Sequence, residues 1–287
     1  MGQYGVVSRR SRPLSRDLRV IQPTGSPEQL WPQIEPFLPR AEKIHFAGGE
    51  PLLMEGHYQT LERMKKLGQL DVGLQYNTNL TVLEACGRNV LDLWSEFSSI
   101  RLMVSFDGAG ARGEYIRSGL HWETVVENWR SVRSRCPHVE LIIHFTLSLL
   151  NVLHLPDFYD ECTELGMIQS QGMLINLVLV PEHLCITTLP RELEEQAEAR
   201  LLSRMDKFPD DEAGRLMRAR FQEVVDFLKA PDTSHLLPKF REHTFGLDQL
   251  RKESFPRVFP ELASLAVTPD GSPAWDVALS EVGSRSD

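Results

Sequence analysis

Five short clusters hold the side chains best suited to chemistry in this chain of 287 residues. They are Gly48-Gly49-Glu50-Pro51, Asn77-Thr78-Asn79, Ser105-Phe106-Asp107-Gly108, Ser148 with Asn151, and Pro181-Glu182-His183. Paired glycines let a backbone turn sharply and let a ligand approach the main chain. Glu50 offers an acceptor to a ligand ammonium, and Pro51 stiffens the exit from the turn. The same four residues also suit a plain tight turn with an exposed glutamate. Ser105 and Asp107 can bind ribose hydroxyls or an amino-acid head group, while Asp107-Gly108 equally suits a simple turn. The Arg117 guanidinium suits bidentate binding of a carboxylate, with a solvated surface arginine as the plainer reading. Asn77, Thr78 and Asn79 either contact a ligand or cap the next segment, and Asn79 suits the cap.

Other reactive residue types read as structural. His45 and His144 fall inside apolar runs, where a buried, hydrogen-bonded histidine is the expectation. Glu192, Glu194 and Glu195 form a solvated helix face. The four cysteines, Cys86, Cys136, Cys162 and Cys185, are never closer than the 23 positions from Cys162 to Cys185, so no CxxC-type metal clip exists. So few cysteines in a chain of this size suggest small apolar groups in a reducing, cytoplasmic compartment.

The elements that must position the clusters follow from periodicity. Short apolar runs predict strands at Lys43–Phe46, Leu74–Asn77, Ile100–Phe106, Glu140–Ser148 and Asn176–Val180. Helical spacing of Tyr58, Leu61, Met64 and Leu67, and of Trp122, Val125, Val126, Trp129 and Val132, predicts helices between them. A further helix is expected over Asn89–Phe97, and another with Pro156 near its start. Strand and helix thus alternate about four times, the rhythm of a parallel sheet with right-handed crossovers. Every cluster above then falls at the C-terminal end of a strand, where parallel barrels carry their functional loops. After Pro190 the rhythm stops. Leu193, Ala197, Leu201 and Met205 predict one helix, and Met217, Phe221, Val224, Val225 and Leu228 another. The expected organisation is an N-terminal arm and connection over 1–40, a barrel-like unit over 41–190 and a helical region over 191–287 with a frayed tail. A turn signal stands at Thr268-Pro269-Asp270-Gly271 in that tail. The arm carries Arg9, Arg10, Arg12, Arg16 and Arg19, read as a flexible basic segment.

Bulk composition narrows the function classes. At 41% hydrophobic and 25% charged residues the chain has the make-up of a globular domain. A net charge of −9 disfavours nucleic acid and anionic membrane as partners, since both recruit clustered positive charge. No apolar run reaches the ~20 residues of a membrane span.

Taken in order, the clusters resemble the radical S-adenosylmethionine (SAM) superfamily. Phe46-Ala47-Gly48-Gly49-Glu50-Pro51-Leu52 is similar to its "GGEP" segment, which follows the second barrel strand. Asn77-Thr78-Asn79-Leu80 resembles the end of the third strand, and Ser105-Phe106-Asp107-Gly108 with Arg117 the fourth. Glu114-Tyr115-Ile116-Arg117, Leu150-Asn151-Val152-Leu153 and Phe259-Pro260-Glu261-Leu262 look most like its twitch/SPASM-like subgroup. The resemblance implies an α/β fold, a partial (β/α)6 TIM-like barrel. It implies that Glu50 and the Gly48-Gly49 backbone bind the SAM ammonium, with Pro51 beside them. Ser105 and Arg117 would bind its carboxylate, with Asp107 at the same strand end and Asn77, Ser148 and Asn151 as ribose contacts. The implied reaction is reductive cleavage of SAM to a 5′-deoxyadenosyl radical, which takes hydrogen from a small-molecule or peptide substrate. An electron donor is the implied partner.

One departure bears on all of this. The family holds a 4Fe-4S iron–sulfur cluster on a C-x3-C-x2-C loop after its first strand, and no cysteine precedes Cys86 here. The expectation is that the first strand and its cluster loop lie before residue 1, with no metal ligands in the chain as numbered. A cluster-free SAM- or partner-binding pseudoenzyme, and an unrelated barrel hydrolase using Glu50 and Asp107 as acid and base, are the alternatives.

Overall fold

The computed structural model describes residues 32–168 and 172–267. The basic arm up to Arg19 and the Thr268-Pro269-Asp270-Gly271 turn lie outside the described residues. Five strands form one sheet: β1 (Lys43–Phe46), β2 (Gly73–Thr78), β5 (Ile100–Phe106), β6 (Glu140–Leu147) and β7 (Met173–Leu177). Their order is β1-β2-β5-β6-β7, and every pairing is parallel. A two-stranded ribbon, β3 (Glu84–Ala85) and β4 (Arg88–Asn89), sits in the β2–β5 connection. The fold is therefore α/β with a five-stranded parallel sheet in sequential order.

Five helices lie in the crossovers, and all but the third, whose Tyr115 packs against Phe255 and Phe259, bury an apolar stripe on the same face of that sheet. These are α1 (Glu55–Lys66), α2 (Val90–Trp94), α3 (Gly110–Ile116), α4 (Trp122–Arg135) and α5 (Leu155–Glu164). Tyr76 of β2 meets Trp94 of α2 with ring centroids 5.3 Å apart. Phe106 of β5 meets Trp122 and Trp129 of α4 at 5.5 and 6.1 Å, and Phe145 of β6 meets Phe158 of α5 at 4.9 Å. Such pairs add to an area term of roughly 25 cal/mol per Å² of apolar surface buried. Winding largely to one side distinguishes this sheet from a doubly wound one.

Strand alternation leaves the other face to different residues. Gln75, Asn77, Met103, Ser105, His144 and Thr146 lie on it half-buried, with His45 and Asn176 exposed. The register aligns them in rows, His45 with Gln75 and Arg101, and Ser105 with His144. Among the described residues no crossover helix lies over this face, so its polar side chains can meet a ligand.

Beyond Pro190 the described elements are helical: α6 (Arg191–Met205), α7 (Glu212–Leu228), α8 (Leu237–Arg251) and α9 (Phe255–Val258), with a 3-10 turn at Pro260–Ala266. The boundary marks a change of element type, since Leu193, Leu201, Phe221 and Phe255 belong to the same apolar cluster as the sheet. Asp211 caps α7 by accepting from the Gly214 amide at 2.7 Å.

Several expectations differ from what is observed. His45, expected to be buried, is exposed on the outer strand β1, although it does bond to Asn77, and Cys86, expected to be a buried apolar group, is exposed in the turn between β3 and β4. β7 runs Met173–Leu177, three residues ahead of the expected Asn176–Val180. Met173 is fully buried while Leu179 and Val180 are exposed, so β-branched and apolar character at the later positions misplaced the strand. Asn79 caps no helix, because the next helix starts at Val90 and is capped by Asn89, whose side chain accepts from the Leu91 amide at 3.0 Å. Helix α8 was not anticipated. Its buried positions are Phe240, Thr244 and Asp248, and two polar residues in that stripe hide the apolar period.

Candidate functional site

The Gly48-Gly49 turn leaves β1 with φ of 93° and 57°, both in the left-handed region where glycine alone is unstrained. No atom lies within 4 Å of where a Cβ would stand on either glycine, so the main chain is open to an approaching group. Pro51 is buried and starts a 3-10 turn over Pro51–Leu53.

Glu50 folds back onto the end of β2. Its Oε1 accepts from the Thr78 hydroxyl at 2.6 Å and from the Leu52 amide at 3.2 Å, and its Oε2 from the Asn79 amide at 2.7 Å. A carboxylate has about four acceptor positions, so three are filled and one on Oε2 remains. Arg117, at the end of α3, spans the next gap. Its Nη1 donates to Asn79 Oδ1 at 2.8 Å and its Nη2 to Asp107 Oδ1 at 3.3 Å. Its Nε lies 2.7 Å from Asp107 Oδ2 as an ion pair. A guanidinium carries five N–H donors; two make these hydrogen bonds and the buried Nε–H, though near Asp107, makes none, so one on Nη1 and one on Nη2 remain on the terminal nitrogens.

Asp107 is almost fully buried and links β5 to β6, accepting at Oδ1 from the Thr146 amide at 3.1 Å. Asn151 fixes the same corner. It donates to the Asp107 and Thr146 carbonyls at 2.8 and 2.9 Å, and accepts from the Ser148 amide at 2.7 Å. The Ser148 hydroxyl accepts from the Leu150 amide at 3.3 Å. Ser148 and Asn151 are thus buried turn residues that hold the ends of β5 and β6. Asn77 points along the polar face, where its Oδ1 meets His45 Nε2 at 3.1 Å. Ser105 lies on that face beside His144, and its hydroxyl makes no hydrogen bond within the described residues. His144 is paired with Asn176. Burial holds the His144 imidazole below its ordinary pKa; the Asn176 contact opposes this, and the Arg117 charge reinforces it.

The structure therefore brings Gly48, Gly49, Glu50, Pro51, Asn79, Asp107 and Arg117 together at adjacent strand ends, and sets Asn77 and Ser105 on the sheet face beneath. Thr78, Asn79 and Thr146 take a larger part than sequence alone assigned them. Their signal was position, one residue either side of a strand end. Tyr115 and helix α8 close the far side, where the Tyr115 hydroxyl donates to the buried Asp248 at 2.7 Å. Burial raises the Asp248 carboxyl against the opposing pull of the Phe255 amide and Tyr115.

A thiolate cluster does not fit these residues. All four cysteines are described; Cys86 is exposed, the other three are buried, and none converges on the strand ends. Among the described residues no group of three or more His, Cys, Asp or Glu could hold a metal ion. No helix among them is long and apolar enough to cross a membrane.

Fold and site together define a singly wound parallel α/β protein with an ionic network across its strand ends. No protein-family model matches the chain, and no curated protein does. Among solved structures it is similar to one described as native anSMEcpe with bound AdoMet and Cp18Cys peptide, at a TM-score of 0.41 and 15% identity. The match covers 58% of this chain and 46% of that one, so the chain spans less than half the length of that protein.

Proposed function

We propose that this chain binds SAM at the ends of β1, β2 and β5, in the manner of a radical SAM enzyme of the twitch-type subgroup, its sheet forming part of a (β/α)6-type barrel. One observation carries the reading. The network Glu50–Asn79–Arg117–Asp107 ties three strand ends together, yet keeps one carboxylate acceptor position at one end and two guanidinium donors at the other. An α-amino-acid head group presents the complementary pair, an ammonium for Glu50 Oε2 and the Gly48-Gly49 main chain, and a carboxylate for Arg117.

In this reading Ser105 adds a hydroxyl to the carboxylate side, and Asn77 lies toward the ribose. Ser148 and Asn151 act by holding Asp107 and Thr146 in place. Asp107 neutralises Arg117 and fixes its orientation, so the two remaining N–H groups project from a positioned guanidinium. SAM held by Glu50 and Arg117 would be placed to supply one-electron reductive cleavage chemistry, given an external electron source. The described residues hold no ligands for the cluster that would deliver the electron, so their part is to bind and orient SAM.

Calorimetry with SAM tests the proposal. Arg117→Ala removes both donors and should weaken binding by about 1.5–3 kcal/mol, roughly 10- to 150-fold. Arg117→Lys keeps the charge and should recover only part of the affinity. Unchanged SAM affinity in folded Arg117→Ala protein, or no SAM binding by the wild type, would overturn it.

A further inference from the structure

His183 is an unexplained buried imidazole. It sits on the short turn Glu182–Leu184 after β7 and is only 4% exposed. Neither ring nitrogen has a hydrogen-bond partner. A neutral imidazole has one N–H to donate and one lone pair to fill, and a buried polar group left unmatched is destabilising. Its ring packs edge-on against His243 of α8, with centroids 4.9 Å apart.

Two open volumes meet at this point. A hollow of about 470 Å³ is lined by His183, Lys239, Glu242, His243 and Leu247. A cleft of about 330 Å³ shares His243 and Leu247 with it and runs to Asp107, Thr146 and Ser148 at the strand ends. Between the two ends the walls are apolar, from Leu150, Val178 and Leu184. Through the shared His243 and Leu247, the cleft beside Asp107 and the hollow at His183 form adjoining parts of one groove system. Lys239 and His243 are four apart on α8 and share a helix face. Burial is the main cause that lowers the His183 pKa, and the charges of His243 and Lys239 add to it. Glu242 also lines the hollow and Glu182 precedes His183, but neither carboxylate is among the causes of that shift.

We propose that this groove is a ligand site for an organic anion with an apolar body and a terminal carboxylate, the carboxylate lying against His183, His243 and Lys239. Its assignment as the substrate site rests on the SAM reading above, whereas the binding itself does not. A carboxylate oxygen accepts the His183 N–H and meets the Lys239 ammonium, and the apolar body fills the walls between Leu150 and Leu247. The far end of such a ligand then lies toward the strand ends, next to the SAM head group. Six- to ten-carbon bodies match a groove of this volume better than a bare inorganic ion does.

Octanoate, with octan-1-ol and inorganic phosphate as controls, is the probe. Binding to the full chain without SAM is followed by ligand-observed NMR and by the histidine ring signals of the protein. Octanoate is expected to bind and to shift the His183 and His243 ring signals, with octan-1-ol and phosphate each at least five-fold weaker. Lys239 is exposed, so Lys239→Gln should fold normally and weaken octanoate at least five-fold while leaving SAM affinity unchanged. His183→Leu should abolish the discrimination between octanoate and octanol. Equal octanoate affinity in wild type and Lys239→Gln, or ring signals that do not move, would overturn the proposal. Should SAM fail to bind while octanoate behaves as expected, the SAM reading falls and the anion site stands; the converse result removes the anion site alone.

Discussion

Replacing Glu50 by glutamine tests whether this carboxylate holds the strand ends together even with no ligand present. Glu50 accepts hydrogen bonds from Thr78, Leu52 and Asn79 at 2.6, 3.2 and 2.7 Å. Glutamine has one oxygen and one NH2 group. If its oxygen takes the Oε1 place, the NH2 faces the Asn79 N–H, donor against donor. If it is turned over, the Leu52 bond is lost instead and the Thr78 hydroxyl must accept rather than donate. Either orientation forfeits at least one charge-assisted bond, worth about 1.5–3 kcal/mol. Glu50 is half-buried, so water recovers part of this and the expected loss is about 2 kcal/mol. At about 2–4 °C per kcal/mol the Tm falls by about 4–8 °C. Urea denaturation of ligand-free protein, followed by far-UV circular dichroism, gives the value directly. Thr78→Val in both backgrounds completes a cycle, with an expected coupling of about 1 kcal/mol. A loss under about 0.5 kcal/mol, the level of an ordinary surface change, would refute the claim that Glu50 fastens β1 to β2.

Three further outcomes are expected. His57 is buried beside Tyr76 at 3.0 Å, and burial lowers its pKa from 6.5 to about 4. The unfolded chain therefore takes up a proton at His57 that the folded one refuses, so stability is full above pH 6.5 and falls as pH drops toward 4. His57→Leu should flatten about 3 kcal/mol of that slope, and an unaltered pH profile of urea midpoints would contradict it. Tyr115→Phe removes the 2.7 Å bond to Asp248 and should cost about 1–2 kcal/mol; a stability equal to wild type would show that the bond does not tie α3 to α8. Gly113→Ala would set a Cβ 2.2 Å from the Gly108 carbonyl oxygen, so a loss of about 3 kcal/mol is expected from the forced backbone shift, and a neutral effect would refute that close approach.

Much of the sheet was legible in the sequence because its strands are short apolar runs bounded by turn residues. Lys43–Phe46 and Ile100–Phe106 coincide with β1 and β5 residue for residue. The clustering of Gly48-Gly49-Glu50, Asp107 and Arg117 was legible too, since parallel strands bring their C-terminal ends side by side. Pairings across long chain separations were not. Nothing local tells that Glu50 bonds to Thr78 and Asn79, that Asn79 accepts from Arg117, or that Asn151 spends its amide on two carbonyls. Helix α8 escaped because Thr244 and Asp248 occupy its buried stripe, where tertiary partners such as Tyr115 compensate for polarity that a periodicity argument counts against burial.

The alternation along β2, β5 and β6 divides labour by parity. Leu74, Tyr76, Leu102, Val104, Phe106, Leu141, Ile143 and Phe145 face the helices and carry the packing. Their neighbours Gln75, Asn77, Met103, Ser105 and His144 face away and carry almost none of it. Mutation at the second set is therefore cheap in stability and direct in its effect on whatever lies against the sheet. A lineage built on this scaffold can exchange ligands one side chain at a time without re-solving its core, and a laboratory library confined to those five positions would explore new specificities while most of its members still fold.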